Sequence, residues 1–189
     1  RQLITNQEEI FNQGFFSTVQ LVLSGSDAQS LRYATTGTPE QFFVEWKDEA
    51  PAEARPEPAS GHLLDRPLTQ LCSKARLLDL IRHFMIFDAG QKKVPRPHQL
   101  FGVKAAQKRL ERREGGVIWH TQGSGKSILM VLLAKWVLEH DAEARVLVVT
   151  DRDELDKQIE GVMRNAGVIG ADAASPRIAS RAELLEKLR

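Results

Sequence analysis

The chain has 189 residues, enough for one domain and part of another. Its charged and apolar fractions, 27% and 42%, are ordinary for a soluble globular protein. The formal net charge of +1 is unevenly spread: residues 1–67 carry five Lys/Arg against ten Asp/Glu, and the remainder carries 21 against 15. A basic second half is compatible with a nucleic-acid partner without establishing one. Cys72 is the one cysteine, so no internal disulfide is possible, which fits a reducing cytoplasm. No apolar run approaches the roughly 20 residues that span a bilayer, and no signal-peptide pattern opens the chain. The sequence starts at Arg1 and stops within the helical pattern "AELLEKLR", so a piece of a longer polypeptide is expected.

In chain order, "RQLITNQEEIFNQG" reads as a short helix or loop. The run around Val19, Leu21 and Leu23 alternates with the period of a strand, "SGSDAQS" is a turn cluster, and "LRYATTG" returns, which predicts a β-hairpin. "TPEQFFVEWKDEA" reads as a helix with Thr38 as N-cap and Pro39 at its first position. Residues 50–67 hold four prolines and read as a linker. From Leu68, apolar residues at helical spacing predict one helix through Met85, broken by "AGQKKVPRP". From His98 the pattern becomes α/β: helix, buried strand "GVIW", apolar helix "SILMVLLAKWVLEH", buried strand "RVLVVT", helix "RDELDKQIEGVMRNAG", a third strand at "RIAS" and a last helix. Such alternation implies a parallel sheet with right-handed crossovers.

"HTQGSGKS", His120 to Ser127, lies between the first of these strands and its helix. It has the composition of a phosphate-binding loop. Gly123 and Gly125 let the backbone turn and approach an anion, Lys126 reaches the β- and γ-phosphates, and the Ser127 hydroxyl is a ligand for Mg²⁺. Thr121, Gln122, Gly123, Ser124, Gly125, Lys126 and Ser127 are therefore the candidate ATP-binding residues, with Lys126 and Ser127 the catalytic ones. The position that the general pattern gives to a first glycine is His120, which points away from small kinases and towards helicase-like motors. The five histidines lack metal-ligand spacing, and Cys72 has no zinc partner. Trp119 and Trp136 read as core, and Trp46 is left open. Glu45-x-Lys47 has the tail of a Mg²⁺ nuclease site but lacks a convincing upstream aspartate.

The flanks are more specific than the loop. "GGVIWHTQGSGKS", followed by "VLVVTDRDELDKQI" and preceded by "FMIFDAGQKKVPRPHQLFGVKAA", resembles the motor (R, or restriction) subunit of type I restriction-modification enzymes, which are superfamily 2 helicase-like DNA translocases. "FNQGFFSTVQLVLSGSDAQSLRYATTGTPEQFFVEWK" resembles the connector between that family's nuclease and motor. The resemblance implies an incomplete RecA-like P-loop parallel sheet preceded by a small α+β connector. The corresponding boundaries are 1–49 for the nuclease-side connector, 50–67 for the linker, 68–95 for a helical connector and 96–189 for the first part of motor domain 1.

It implies that Gln99 reads adenine, that Arg96 helps hold the base or the loop, and that Thr150 and Arg152 contact the DNA backbone. For Arg152, an ion pair with Asp156 is the competing reading; Asp151 and Asp153 read as helix caps. The basic residues Lys92, Lys93, Arg96, Lys104, Lys108, Arg109, Arg112 and Arg113 read as a solvated face rather than a DNA contact. The implied cofactors are ATP and Mg²⁺. The implied partners are double-stranded DNA and the methyltransferase and specificity subunits, with no membrane. The family's second ATPase motif and arginine finger are expected beyond Arg189, and its nuclease carboxylates before Arg1. The alternatives are another superfamily 2 ATPase, a small-molecule phosphotransferase, or a non-catalytic docking piece.

Overall fold

The computed structural model describes residues 2–47, 62–170 and 172–188. The chain enters through α1 (Gln2–Glu8) and α2 (Gln13–Phe16). The expected hairpin forms: β1 (Val22–Ser26) pairs antiparallel with β2 (Gln29–Ala34), with Leu23 opposite Tyr33. A third strand joins it. The helix expected from Thr38 is instead a single 3-10 turn, Glu40–Phe42, with no side-chain cap, leading into β3 (Val44–Glu45), whose Val44 lies opposite Tyr33. The run "FFVEW" is aromatic and β-branched and alternates, and strand preference prevails once β2 offers a free edge.

Most of the proline-rich stretch, residues 48–61, lies outside the described residues. Its described end is already structured, because α3 (Asp65–Leu71) starts there with Pro67 in the first turn, where a missing N–H costs nothing. The single helix expected through Met85 divides at Ser73, whose extended backbone (ψ 136°) starts α4 (Lys74–Asp79); one π turn, Leu80–Phe84, extends it. β4 (Ile86–Asp88) and β5 (Gln91–Lys93) then form a two-residue hairpin. Ala89 and Gly90 both have positive φ, 50° and 77°, the conformation that matches a tight hairpin to strand twist. Residues 68–95 are thus helical only in their first part.

Four helices follow: α5 (Pro97–Glu111), α6 (Lys126–His140), α7 (Asp153–Asn165) and α8 (Arg181–Lys187), as the periodicity predicts. The parallel sheet does not accompany them. Among the described residues both sheets are antiparallel, and 116–119, 145–150 and "RIAS" form no ladder. Val117 and Trp119 are 88% and 89% exposed, so Trp119 is not core. Apolar composition marks these segments for burial, but a strand exists only where a neighbour accepts its hydrogen bonds. The fold is α/β with short sheets and several helices.

One core joins the sheet to the helices. Leu31, Tyr33 and Trp46 from the sheet pack with Leu71, Leu80 and Phe84, with Leu100 and Val103 of α5, and with Leu129 and Leu132 of α6. Trp46 is buried: its ring lies 5.8 Å from Tyr33 and 6.0 Å from Phe101, and its Nε1 donates to Gln70 Oε1 at 3.2 Å. The Arg76 guanidinium lies over both Trp46 and Phe101, at 5.2 and 5.3 Å. The Tyr33 hydroxyl donates to the Pro95 carbonyl at 2.6 Å, and burial pushes this phenol well above its usual pKa. No helix among the described residues is long and apolar enough to cross a membrane.

Asp88 fastens the β4–β5 hairpin to the end of α7. It accepts from Lys93 Nζ and, at 3.0 Å, from Asn165 Nδ2. The hydrogen bond from Lys93 holds its carboxyl below the ordinary carboxylate range. A depressed folded pKa means that the stabilisation is present above the unfolded value of about 3.9 and is lost as pH falls through the folded value. The thermal midpoint of the wild type should therefore exceed that of Asp88→Asn at neutral pH, and the gap should shrink as pH falls below about 5 and on through the depressed folded value. A gap that stays constant with pH would refute this role.

Candidate phosphate-binding site

The site begins with the start of α5. Arg96 is the N-cap and Pro97 occupies the first helical position. Gln99, at the third, accepts from the Arg96 backbone N–H through Oε1 at 2.8 Å. Its Nε2 donates to the carbonyls of Ser124 and Gly125, at 3.1 and 3.0 Å. Gln99 is 3% exposed, and both amide N–H groups are used. A primary amide has two donors and two acceptor lone pairs. What Gln99 can still offer a ligand is the second lone pair of Oε1.

His98 adds a third hold on the loop, its Nε2 lying 2.9 Å from the Ser124 carbonyl. Its ring meets that of His120 edge-on at 5.0 Å. His98 escapes a motif reading because it carries no spacing signal; its position beside Gln99 is the one cue. His120 packs against Gly102, where an added Cβ would lie 3.3 Å from the ring.

The loop is shaped by two glycines. Gly123 and Gly125 have φ of 75° and 80°, a region that costs a residue with a Cβ roughly 1–2 kcal/mol. Gly125 is also the N-cap of α6, so the free N–H groups and positive end of a 15-residue helix face the loop. Lys126 folds back across the loop and donates to the carbonyls of His120 (3.2 Å) and Thr121 (2.9 Å). The Ser124 hydroxyl is buried without a hydrogen-bond partner. Ser127 follows at the second position of α6, and Gln122 is exposed on the loop.

Gly123, Ser124 and Gly125 open onto a cavity of about 1030 Å³ that Gln99 and Arg96 also line. That is at the upper end of the roughly 300–1,000 Å³ of small-molecule sites. The glycine-shaped backbone, the orphaned Ser124 hydroxyl and Arg96 suit an anion, while Lys126 and Ser127 are not among the residues that line this cavity.

Thr150 and Arg152 stand apart from this cluster. Thr150 lines a separate groove between the end of α6, α7 and α8, and its hydroxyl donates to the Arg152 carbonyl at 3.4 Å. Arg152 is exposed and lies 3.8 Å from Asp151 rather than against Asp156. Asp156 is taken by Arg177 at 2.6 Å. Asp153 does not cap α7, whose N-cap Arg152 receives no side-chain bond; it pairs with Lys157 (2.9 Å) and Arg177, which hold its carboxyl below the usual range. Much of the basic cluster is engaged within the molecule. Lys104 meets Asp79 at 2.7 Å, Lys93 meets Asp88, Lys92 donates to Val19 O at 3.0 Å, and Arg109 and Arg112 share Glu114 at 3.5 Å.

Residues 98–189 match the family described as SWI2/SNF2 ATPase. The chain is 33% identical over 175 residues to the Type I restriction enzyme HindI endonuclease subunit of Haemophilus influenzae, covering 84% of this chain and 16% of that protein. It is 34% identical over 136 residues to the putative type I restriction enzyme MjaIXP endonuclease subunit of Methanocaldococcus jannaschii, covering 66% of this chain and 13% of that one. The chain spans about one sixth or less of the length of these curated relatives. With relatives of one kind over most of its length and an ATPase family match over residues 98–189, the chain belongs to the family of type I restriction enzyme endonuclease (R) subunits, of which it corresponds to one segment.

Proposed function

We propose that this segment supplies the ATP-binding part of a DNA-translocating restriction enzyme, in which ATP hydrolysis moves double-stranded DNA before cleavage. The observation that carries the reading is the loop itself: two left-handed glycines and a lysine at the start of a long helix, braced from behind by Gln99. Lys126 exchanges its two loop carbonyls for the β- and γ-phosphates of ATP, and Ser127 offers its hydroxyl to Mg²⁺. Arg96 and the remaining lone pair of Gln99 face the base; an acceptor there suits the exocyclic amine of adenine and opposes the carbonyl of guanine.

Residues 116–119 and 145–150 are strands of a RecA-like sheet in this reading. The exposure of Val117 and Val149, 88% and 82%, supports it, since apolar segments of this kind call for pairing partners. Thr150 and Arg152 are proposed DNA-backbone contacts, the exposed Arg152 being free of Asp156. The methyltransferase and specificity subunits are the proposed protein partners, and the cytoplasm the proposed location.

Hydrolysis needs a carboxylate to hold Mg²⁺ and another to orient water, and the residues proposed for this site, Arg96, Gln99 and 121–127, include neither. The 189-residue chain alone should therefore bind ATP but show no steady-state turnover above background, with or without duplex DNA. Robust turnover that disappears in Lys126→Ala would overturn that part of the proposal. Gln99→Ala should bring the affinities for ATP and GTP closer together; an unchanged ratio would remove the glutamine from base selection.

A further inference from the structure

The cavity in front of the phosphate loop is not walled by the motor half alone. Part of its wall is made by the connector sheet and the turn that leads into β3. Val44 of β3 lies opposite Tyr33 of β2, so the two side chains share a face, and the Tyr33 hydroxyl reaches Pro95, just ahead of α5. Side chains alternate along an extended chain, so Trp46 follows Val44 on that face, and the 3-10 turn Glu40–Phe42 leads into it. Trp46 is buried against Phe101 of α5. Val44 lines the cavity. Phe42, at the end of that turn, lines the same cavity as Gly123 and Gly125.

Phe42 is 56% exposed, whereas Tyr33 and Trp46 of the sheet face are buried. Of the large apolar side chains that the fold leaves exposed, Phe42 and Phe87 (54%) are the two that line this cavity. The backbone that carries Phe42 is fixed at several points. Phe42 N–H donates to Pro39 O at 3.0 Å, Gly37 N–H to Gln7 Oε1 at 2.9 Å, and the Thr35 hydroxyl to Gln20 O at 2.9 Å. Lys92 Nζ ties the same region to the β4–β5 hairpin through Val19 O and Gln20 Oε1, at 3.0 and 3.3 Å. A half-exposed aromatic ring on this tied backbone, lining the same cavity as the glycine loop, suits a ligand with a flat π-face at one end and phosphates at the other.

We propose that Phe42 stacks on the base of the bound nucleotide, so that the connector closes the base end of the site. This rests on the reading of the loop as a nucleotide site and adds to it a residue outside the motor half. A consequence is that filling the site fixes the connector sheet against α5, through Phe42 as well as through the Tyr33–Pro95 and Lys92 contacts.

The test is calorimetric titration of the full 189-residue chain with ATP and, separately, with inorganic tripolyphosphate, both with Mg²⁺. Phe42→Ala, Phe42→Leu and Phe42→Tyr are compared with the wild type, with circular dichroism confirming folding; Phe42 is exposed, so the variants should fold. Phe42→Ala should weaken ATP binding about 10-fold, Phe42→Leu nearly as much, and Phe42→Tyr should bind as the wild type, with tripolyphosphate binding equal in all. ATP affinity unchanged in Phe42→Ala, while Lys126→Ala loses it, would overturn the stacking role and leave the nucleotide site intact. Parallel loss of ATP and tripolyphosphate would also overturn it, since the effect would then come from the phosphate end. A folded wild type that binds neither ligand would overturn the nucleotide reading itself.

Discussion

Lys126→Ala should lower ATP affinity by about 100-fold or more, with little change in thermal midpoint. Charge-assisted hydrogen bonds of this kind are worth about 1.5–3 kcal/mol each, and tenfold in affinity is about 1.4 kcal/mol. One lysine meeting two phosphate groups therefore accounts for two decades. The small structural effect follows from its present partners. The carbonyls of His120 and Thr121 lie on an exposed loop where water replaces the ammonium. Lys126→Arg should not rescue binding, because a guanidinium is larger and forked where the loop accommodates a point charge. Comparing binding isotherms and melting curves for both variants checks this. A large drop in melting temperature would mean that Lys126 is a structural brace instead.

Gly125→Ala should be nearly as damaging, and for a different reason. The φ of 80° already disfavours a Cβ, and the added atom would overlap Gln99 Nε2. That nitrogen is buried and held by the Ser124 and Gly125 carbonyls, so the glutamine side chain has no free rotamer to retreat into without leaving buried donors unpaired. Gly123→Ala is the internal control. Its φ is 75°, but nothing lies within 4 Å of the added Cβ, so strain acts without collision. ATP affinity should fall in both, by about 10-fold for Gly123→Ala from the roughly 1–2 kcal/mol of strain, and by considerably more for Gly125→Ala. Equal losses would mean that contact with Gln99 does not matter to the loop.

The parts of this molecule that could be read in advance are those written in local pattern. α5, α6 and α7 carry helical periodicity, and the β1–β2 hairpin carries alternation around a turn cluster. The turn from Thr121 to Ser127 is legible because Gly123 and Gly125 take the positive φ that the lack of a Cβ allows. Features that depend on distant partners were not legible. "GVIW" and "RVLVVT" are apolar enough for buried strands, yet strand formation depends on ladder neighbours that the described residues do not provide. Ala89 gives no hint of a positive φ, so the β4–β5 hairpin reads only as a break. The helix from Leu68 divides at Ser73 although its periodicity continues across it.

Within the site, Gln99 was singled out for the base, whereas its hydrogen bonds go first to the loop. A single amide thus ties the start of α5 to the Ser124–Gly125 turn. Phe42 carries no motif to mark it; the 3-10 turn that replaces the expected helix places it at the cavity.

The central claim is that this chain holds ATP at the 120–127 loop. The measurement that tests it most directly is equilibrium titration of the wild-type chain and of Lys126→Ala with ATP and GTP in the presence of Mg²⁺. Saturable, single-site binding of ATP, tighter than that of GTP and lost in Lys126→Ala, is the predicted result. A folded wild-type chain that binds neither nucleotide, or binds ATP equally well without Lys126, would contradict it.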